Sequence, residues 1–244
     1  MPKRFVVDSL HTSEVSFSGD AFGLAESLTA AAVELHVADG PRATMRTAVN
    51  LAVRTVPAAE YAGISAADRN DQIRTLAWTD EIVRTVDQSH DRFPDHLLDR
   101  FHESGSTVIE RGESDPQLSL VGLRSALSFR LRGTARRTSV LTVYARAPRA
   151  FDRHSVRIGR LLSAYVGIAL ESAMVQEQLT EAMQTRDVIG QATGVLMGKL
   201  DINGTEAFGR LVRASQKENV KVRDIALRIV ETANGTQGPQ PANG

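Results

Sequence analysis

Apolar positions along the chain change period several times, and each change marks an element. Phe22, Ala25, Leu28, Ala32 and Leu35 recur at helical spacing and stop at the breaker Asp39-Gly40-Pro41. Met45, Val49, Ala52, Val53 and Val56 repeat the pattern, closed by Pro57. Period two then takes over. Tyr61 to Ala66, and Ile73, Leu76 and Trp78, flank the polar stretch Asp68-Arg69-Asn70-Asp71, which predicts a hairpin. Ile82, Val83 and Val86, then Leu97, Leu98 and Phe101, predict two short helices divided by Phe93-Pro94, with a brief strand at Ser106 to Ile109. Ser125 to Leu131 and Ser139 to Tyr144 predict two strands joined by a basic turn, Arg132 to Arg137. Helices that precede and interrupt the strands, without strict alternation, predict an α+β fold: an antiparallel sheet flanked by helices.

From Asp152, a residue that caps helix starts, apolar periodicity continues without proline to about Lys199, roughly 70 Å of helix. That length exceeds the needs of one core. Positions seven apart give one apolar seam, Leu161, Ile168, Val175, Ala182, Ile189 and Leu196. A half-apolar neighbour runs through Ile158, Tyr165, Ser172, Leu179, Arg186 and Thr193. Such a stripe predicts a parallel coiled coil between two chains, and hence a homodimer; packing of residues 152–175 back on their own domain is the competing reading. Two more helices follow, Thr205 to about Glu218 and Val222 to Ala233. Their spacing places Ala207, Phe208, Leu211, Val212 and Ser215 inward, with Ile225, Ala226, Ile229 and Val230 opposite. The expected organisation is a flexible arm (1–19), a sheet domain (20–172), a helical module with its lead-in (173–234) and a disordered tail (235–244).

Composition narrows the function. The absence of cysteine removes disulfides, thiol catalysis, zinc–thiolate sites and thioether-linked chromophores, and fits a reducing cytoplasm. The first sixteen residues lack a signal peptide's apolar core, and Arg160 and Glu171 interrupt the stretch from Ile158 to Val175, so neither export nor a membrane span is expected. The 29 basic and 29 acidic residues cancel, so nucleic-acid binding would require a local patch. Neither a nucleophile elbow nor a phosphate loop occurs, so no catalytic residue, cofactor or enzymatic activity is expected. His90, His96 and His102 lie among acids, but a single cluster on an amphipathic surface helix predicts solvation and not a metal site.

Arg186, Ile189, Gln191-Ala192, Gly194, Leu196-Met197, Ala207-Phe208, Leu211, Ser215 and Arg223-Asp224-Ile225-Ala226 occur in a definite order within Leu179 to Ala233. This segment resembles the ANTAR family, the RNA-binding domain of AmiR- and NasR-type antiterminators. The resemblance implies a three-helix module that, as a dimer, binds paired hairpins in a nascent transcript and prevents a terminator from forming. Many members carry Lys where this chain has Thr193. Residues 20–172 resemble a GAF domain through the helix-first order, the Val140 to Tyr144 strand and the Phe151-Asp152 approach to a long closing helix. That resemblance implies small-molecule sensing or dimerisation.

Read from the residues, Arg210, Arg213 and Lys217 form one basic stripe, which Lys199, Lys221 and Arg223 would extend toward RNA phosphates. With Phe208 assigned to the core, base recognition falls to Arg186, Gln191 and Thr193. Gly190, Gly194 and Gly198 each cost the helix roughly 1 kcal/mol relative to Ala. Close approach of another helix accounts for them, with exposure to an RNA base as the functional alternative. The expected function is a signal-responsive antitermination regulator. The rivals are a module that contacts protein or duplex DNA and a ligand-binding GAF-like enzyme.

Overall fold

The protein is described by a computed structural model over residues 19–67, 72–88, 108–111, 116–131 and 139–235. Its elements are α1 (Gly19–His36), α2 (Gly40–Thr55), β1 (Tyr61–Ala67), β2 (Ile73–Trp78), α3 (Glu81–Gln88), β3 (Val108–Arg111), α4 (Pro116–Leu120), β4 (Ser125–Leu131), β5 (Ser139–Ala145), α5 (Arg153–Leu200), α6 (Gly204–Glu218) and α7 (Val222–Gly235). They fall into two compact units divided between Ala173 and Met174, and α5 supplies residues to both. The arm to residue 18, the helix expected around Leu97 to Phe101, the histidine cluster, the basic turn and the tail from 236 lie outside the described residues.

In the first unit the strands order as β2-β1-β5-β4-β3, each pair antiparallel. Strand β5 is buried throughout and β4 is buried except at Arg130, which is why both read as convincing strands. Alternation sorts their two faces. Leu127, Phe129, Leu131, Leu141 and Val143 join α1, α2 and α5 in the main core, while Ala126 and Tyr144 meet Val83, Val86, Leu118 and Leu123 in a second core. A bulge between Ile64 and Ser65 lets Ile64 pair with Ala77 and Ser65 with Thr75, so Leu76 is the extra residue of β2. Helix α4 escaped sequence reading because five residues hold no period; Leu118, fully buried, anchors it.

Asp152 caps α5 as its position suggested. Its carboxylate accepts the Ser155 amide at 2.8 Å, and the Ser155 hydroxyl lies 3.0 Å from it and 3.2 Å from the Pro57 carbonyl. The backbone hydrogen bond from Ser155, reinforced by its hydroxyl, holds the Asp152 carboxyl below its ordinary range.

The first five turns of α5 bury Ile158, Leu162, Val166 and Leu170, spaced by four, in the main core. This corrects the seam drawn from sequence. Ile158 belongs to the sheet domain, Ile189 and Leu196 pack in the second unit, and Leu161, Tyr165, Ile168, Val175, Leu179 and Met183 remain exposed. Because both faces of its N-terminal half are apolar, α5 is long and apolar enough to cross a membrane by length and composition, with mean hydropathy 1.4 over eighteen residues. Core helices pass the same test, and 44% of that window is buried within the protein.

Gly159 is where α5 meets the sheet. A Cβ there would lie 2.1 Å from Cζ of the fully buried Phe129. Helix propensity favours Gly159→Ala by roughly 1 kcal/mol, but overpacking costs about 1–3 kcal/mol or more. We expect Gly159→Ala to lower the urea midpoint of the sheet domain, and an unchanged or raised midpoint would contradict this seating.

Candidate nucleic-acid interface

The second unit is held by a small core. Ala192 of α5, Leu211 of α6 and Ile225 and Ala226 of α7 are buried, with Val188, Ile189, Leu196, Ala214, Val220, Ile229 and Val230 packed around them. Asp201 and Asn219 end α5 and α6 with left-handed backbones, a conformation Asp and Asn tolerate better than other side-chain-bearing residues. The Asn203 side chain caps α6 by accepting the Glu206 amide at 2.9 Å, and the Ser215 hydroxyl donates to the Val220 carbonyl at 2.5 Å across the second turn. These devices position the surface residues.

The structure divides the nine predicted RNA-contacting residues into two groups. Arg186, Gln191, Lys199, Arg213, Lys217 and Lys221 are exposed, and the five cations among them make no ion pair within the described residues. Arg210 is held by Glu206 at 3.2 Å, one turn away. Arg223 spans from α7 to Glu181 of α5 at 3.0 Å and lies 3.8 Å from Asp224. Thr193 is half-buried and donates to the Ile189 carbonyl at 2.7 Å. The expected stripe therefore contracts to Arg213 and Lys217, i and i+4 on α6, while Arg210 and Arg223 also serve the bundle. Exposed pairs of this kind contribute roughly 0–1 kcal/mol, so they remain exchangeable for phosphate.

One expectation fails here. Phe208 is 46% exposed, not core. The inner line of α6 runs through Ala207 and Leu211, and Phe208 lies roughly 100° around the helix from Ala207. The three glycines fail in the same way: a Cβ at Gly190, Gly194 or Gly198 would meet nothing within 4 Å. No helix among the described residues packs on them.

Residues 177–230 match the ANTAR domain family. They form an ANTAR domain. This is the domain of RNA-binding antitermination regulators, and the three helices just described are its fold here. Comparison with curated proteins returns no match. Among solved structures, the chain is similar to the photosensory core module of a Stigmatella aurantiaca phytochrome, at 10% identity and TM-score 0.56, covering 78% of this chain and 44% of that one. It is similar to a bacteriophytochrome from R. palustris at 11% identity and TM-score 0.54, over 76% of this chain and 43% of that one. It is also similar to the phycoerythrobilin-bound GAF domain of a cyanobacterial phytochrome at 8% identity and TM-score 0.50, over 66% of this chain and 98% of that one. The chain thus spans less than half the length of the first two. The likeness is one of fold: the unit ahead of the ANTAR domain is GAF-like.

Sequence reasoning assigned no residue to sensing in that GAF-like domain. The structure gathers a polar cluster on the sheet face opposite α5. The buried Asp87 carboxylate of α3 accepts the Ser65 hydroxyl in a short hydrogen bond and the Thr75 hydroxyl at 2.9 Å, and Tyr144 Oη stands 3.5 Å away. Ser128 and Thr142, also buried, pair through their hydroxyls at 2.9 Å. Ser65, Thr75, Ser128 and Thr142 come from four different strands, so no local spacing in the sequence signals the cluster.

The open surroundings of the glycines make a direct prediction. Gly190→Ala and Gly194→Ala should each raise the thermal stability of the isolated protein, by up to ~1 kcal/mol in unfolding free energy. A destabilised variant in a calorimetric scan would show that something in the free protein packs on that face.

Proposed function

We propose that this chain is a cytoplasmic, signal-responsive antitermination regulator that binds paired RNA hairpins of a nascent transcript as a homodimer. In this reading the GAF-like domain receives a small-molecule signal and the ANTAR domain grips RNA. The observation that carries the proposal is the ANTAR match over a module whose α6 presents Arg213 and Lys217 with no ion pair among the described residues. Unpaired cations one turn apart can track a phosphate backbone without first breaking a protein contact. Dimerisation is supported by the exposed apolar stripe Leu161, Tyr165, Ile168, Val175 and Leu179, which follows coiled-coil spacing with Ser172 at the intervening position, and by Met183 one turn beyond it. Two weak sites joined through that stripe gain affinity by effective concentration, and small changes in their spacing would switch binding.

RNA binding is tested by titrating the full chain with a two-hairpin RNA at several salt concentrations, beside an Arg213→Glu/Lys217→Glu variant. The wild type is expected to bind with a steep salt dependence. Each phosphate contact contributes roughly 0.7–0.9 to the slope of log affinity against log salt, so the double variant should lose about two contacts' worth of slope and at least tenfold in affinity. Equal slopes would remove the stripe from the interface. Preference for duplex DNA in competition would support the rival reading.

For the dimer, Leu179→Asp/Met183→Asp is expected to sediment as a monomer and to lose about 10²- to 10⁴-fold in two-hairpin binding while keeping single-hairpin affinity. A variant that remains dimeric would overturn the placement of the seam.

A further inference from the structure

We infer that the outer face of the ANTAR domain formed by Arg186, Gly190, Thr193 and Met197 of α5 and Phe208 of α6 seats an unstacked RNA loop base, with Phe208 as its stacking platform. The inference rests on the antitermination reading and deepens it. Met197 and Phe208 are 40% and 46% exposed, away from the small core of Ala192, Leu211, Ile225 and Ala226 and beyond the exposed stripe residues Leu179 and Met183. They border one patch: a Cβ at Gly204 would lie 3.6 Å from the Met197 sulfur, and Phe208 follows Gly204 by one turn of α6. Along α5, Arg186, Gly190, Thr193 and Met197 are spaced by four, three and four, so they share one helix face. Gly190 has nothing over its Cα, and Thr193 spends its hydroxyl proton on the Ile189 carbonyl. Little on this face is left to donate a hydrogen bond, and Arg186, with no ion pair among the described residues, stands at its edge.

A second copy of the chain fits this face poorly. Continuing the coiled-coil seam past Met183 would put Arg186, Gly190 and Thr193 at paired positions, where a charge and a missing side chain weaken helix pairing. A nucleobase fits it well. Loop bases in folded RNA stack on aromatic rings and guanidinium planes, and a thioether adds a polarisable contact. On α6 the Arg213/Lys217 stripe lies roughly 140–180° around the helix from Phe208, so phosphate and base contacts can be altered separately.

The test starts from a library of paired stem-loops with randomised loops, enriched on the full-length protein. The tightest RNA is then made with 2-aminopurine replacing each loop adenine in turn, and read against wild type, Phe208→Leu and Phe208→Trp. Wild type is expected to quench one loop position. Phe208→Leu, which keeps apolar bulk and removes the ring, should lose that quench and about 10- to 100-fold in affinity with an unchanged salt slope, and Phe208→Trp should restore both. The opposite pattern, lost slope with intact quench, is expected of Arg213→Glu/Lys217→Glu. If Phe208→Leu binds within twofold of wild type with the quench intact, the base-stacking inference is wrong and the antitermination reading stands. If Phe208→Leu is monomeric by sedimentation while wild type is dimeric, the face belongs to a second copy, and the inference is again overturned. If no RNA enriches on the wild type, both readings fall together.

Discussion

The contact on which the rest of the structure depends is the one between the backbone of α5 and the ring of Phe129. Gly159 leaves no room for even a methyl group there, so the helix lies directly on the centre of the sheet, over the pair of strands that are buried on both faces. Close-packed interiors have little slack, and a helix seated without a side chain between its axis and an aromatic ring has less than most. Ile158, Leu162, Val166 and Leu170 extend the contact along one face. Once that face is fixed, the side carrying Leu161, Tyr165 and Ile168 is necessarily turned outward, and its apolar character becomes a property of the surface. The apparent membrane-spanning composition of α5 is the sum of these two faces, each with a separate use.

Successive segments of the same helix therefore have different obligations. Residues to about Leu170 serve the sheet domain, and Val188, Ile189, Ala192 and Leu196 serve the three-helix core. Between them, Val175, Leu179 and Met183 serve neither. Leaving three large apolar side chains on a solvated helix is costly at roughly 25 cal/mol per Å² of apolar surface, a cost that burial against another chain would offset. The charges are apportioned in a comparable way. Arg223 binds Glu181 and Arg228 binds Glu218, pairs that tie α7 to α5 and to α6, whereas Arg213 and Lys217 make no ion pair among the described residues. A module with as many acids as bases thus still presents local, uncompensated positive charge.

Much of this was legible in the sequence, and the exceptions have specific causes. Strands β4 and β5 read to within a residue because central strands combine period two with turn residues at each end. The Asp152 cap read because a carboxylate before an apolar-periodic run has few other uses. Helix α4 did not read because a single turn has no period. Phe208 was misassigned because spacing alone counts an apolar residue as inward, whereas a helix with a small core buries only a narrow arc, here the line through Ala207 and Leu211. The glycines were legible as an anomaly but not as an open face, since sequence shows that a side chain is missing without showing what lies above it. The Asp87 cluster was illegible because it joins β1, β2, α3 and β5 through contacts whose partners are as much as 57 positions apart.

The placement of that cluster gives the fold a route for coupling. Tyr144 faces Asp87 on one side of β5, while its neighbour Val143 faces the main core on the other. Ser128 and Phe129 are likewise consecutive on β4, one paired with Thr142 and the other beneath Gly159. A ligand that drew hydroxyls away from Asp87, or separated Ser128 from Thr142, would act on the same strands that carry α5, one strand thickness away. Coupling requires only that the ligand favour one arrangement of those strands over another, because a ligand shifts an equilibrium by its differential affinity and by nothing else. With no free volume at Gly159, a displaced Phe129 ring must carry the helix with it. The seating that fixes α5 is therefore also what ties the hydrogen bonding on the far face of the sheet to the first turns of that helix.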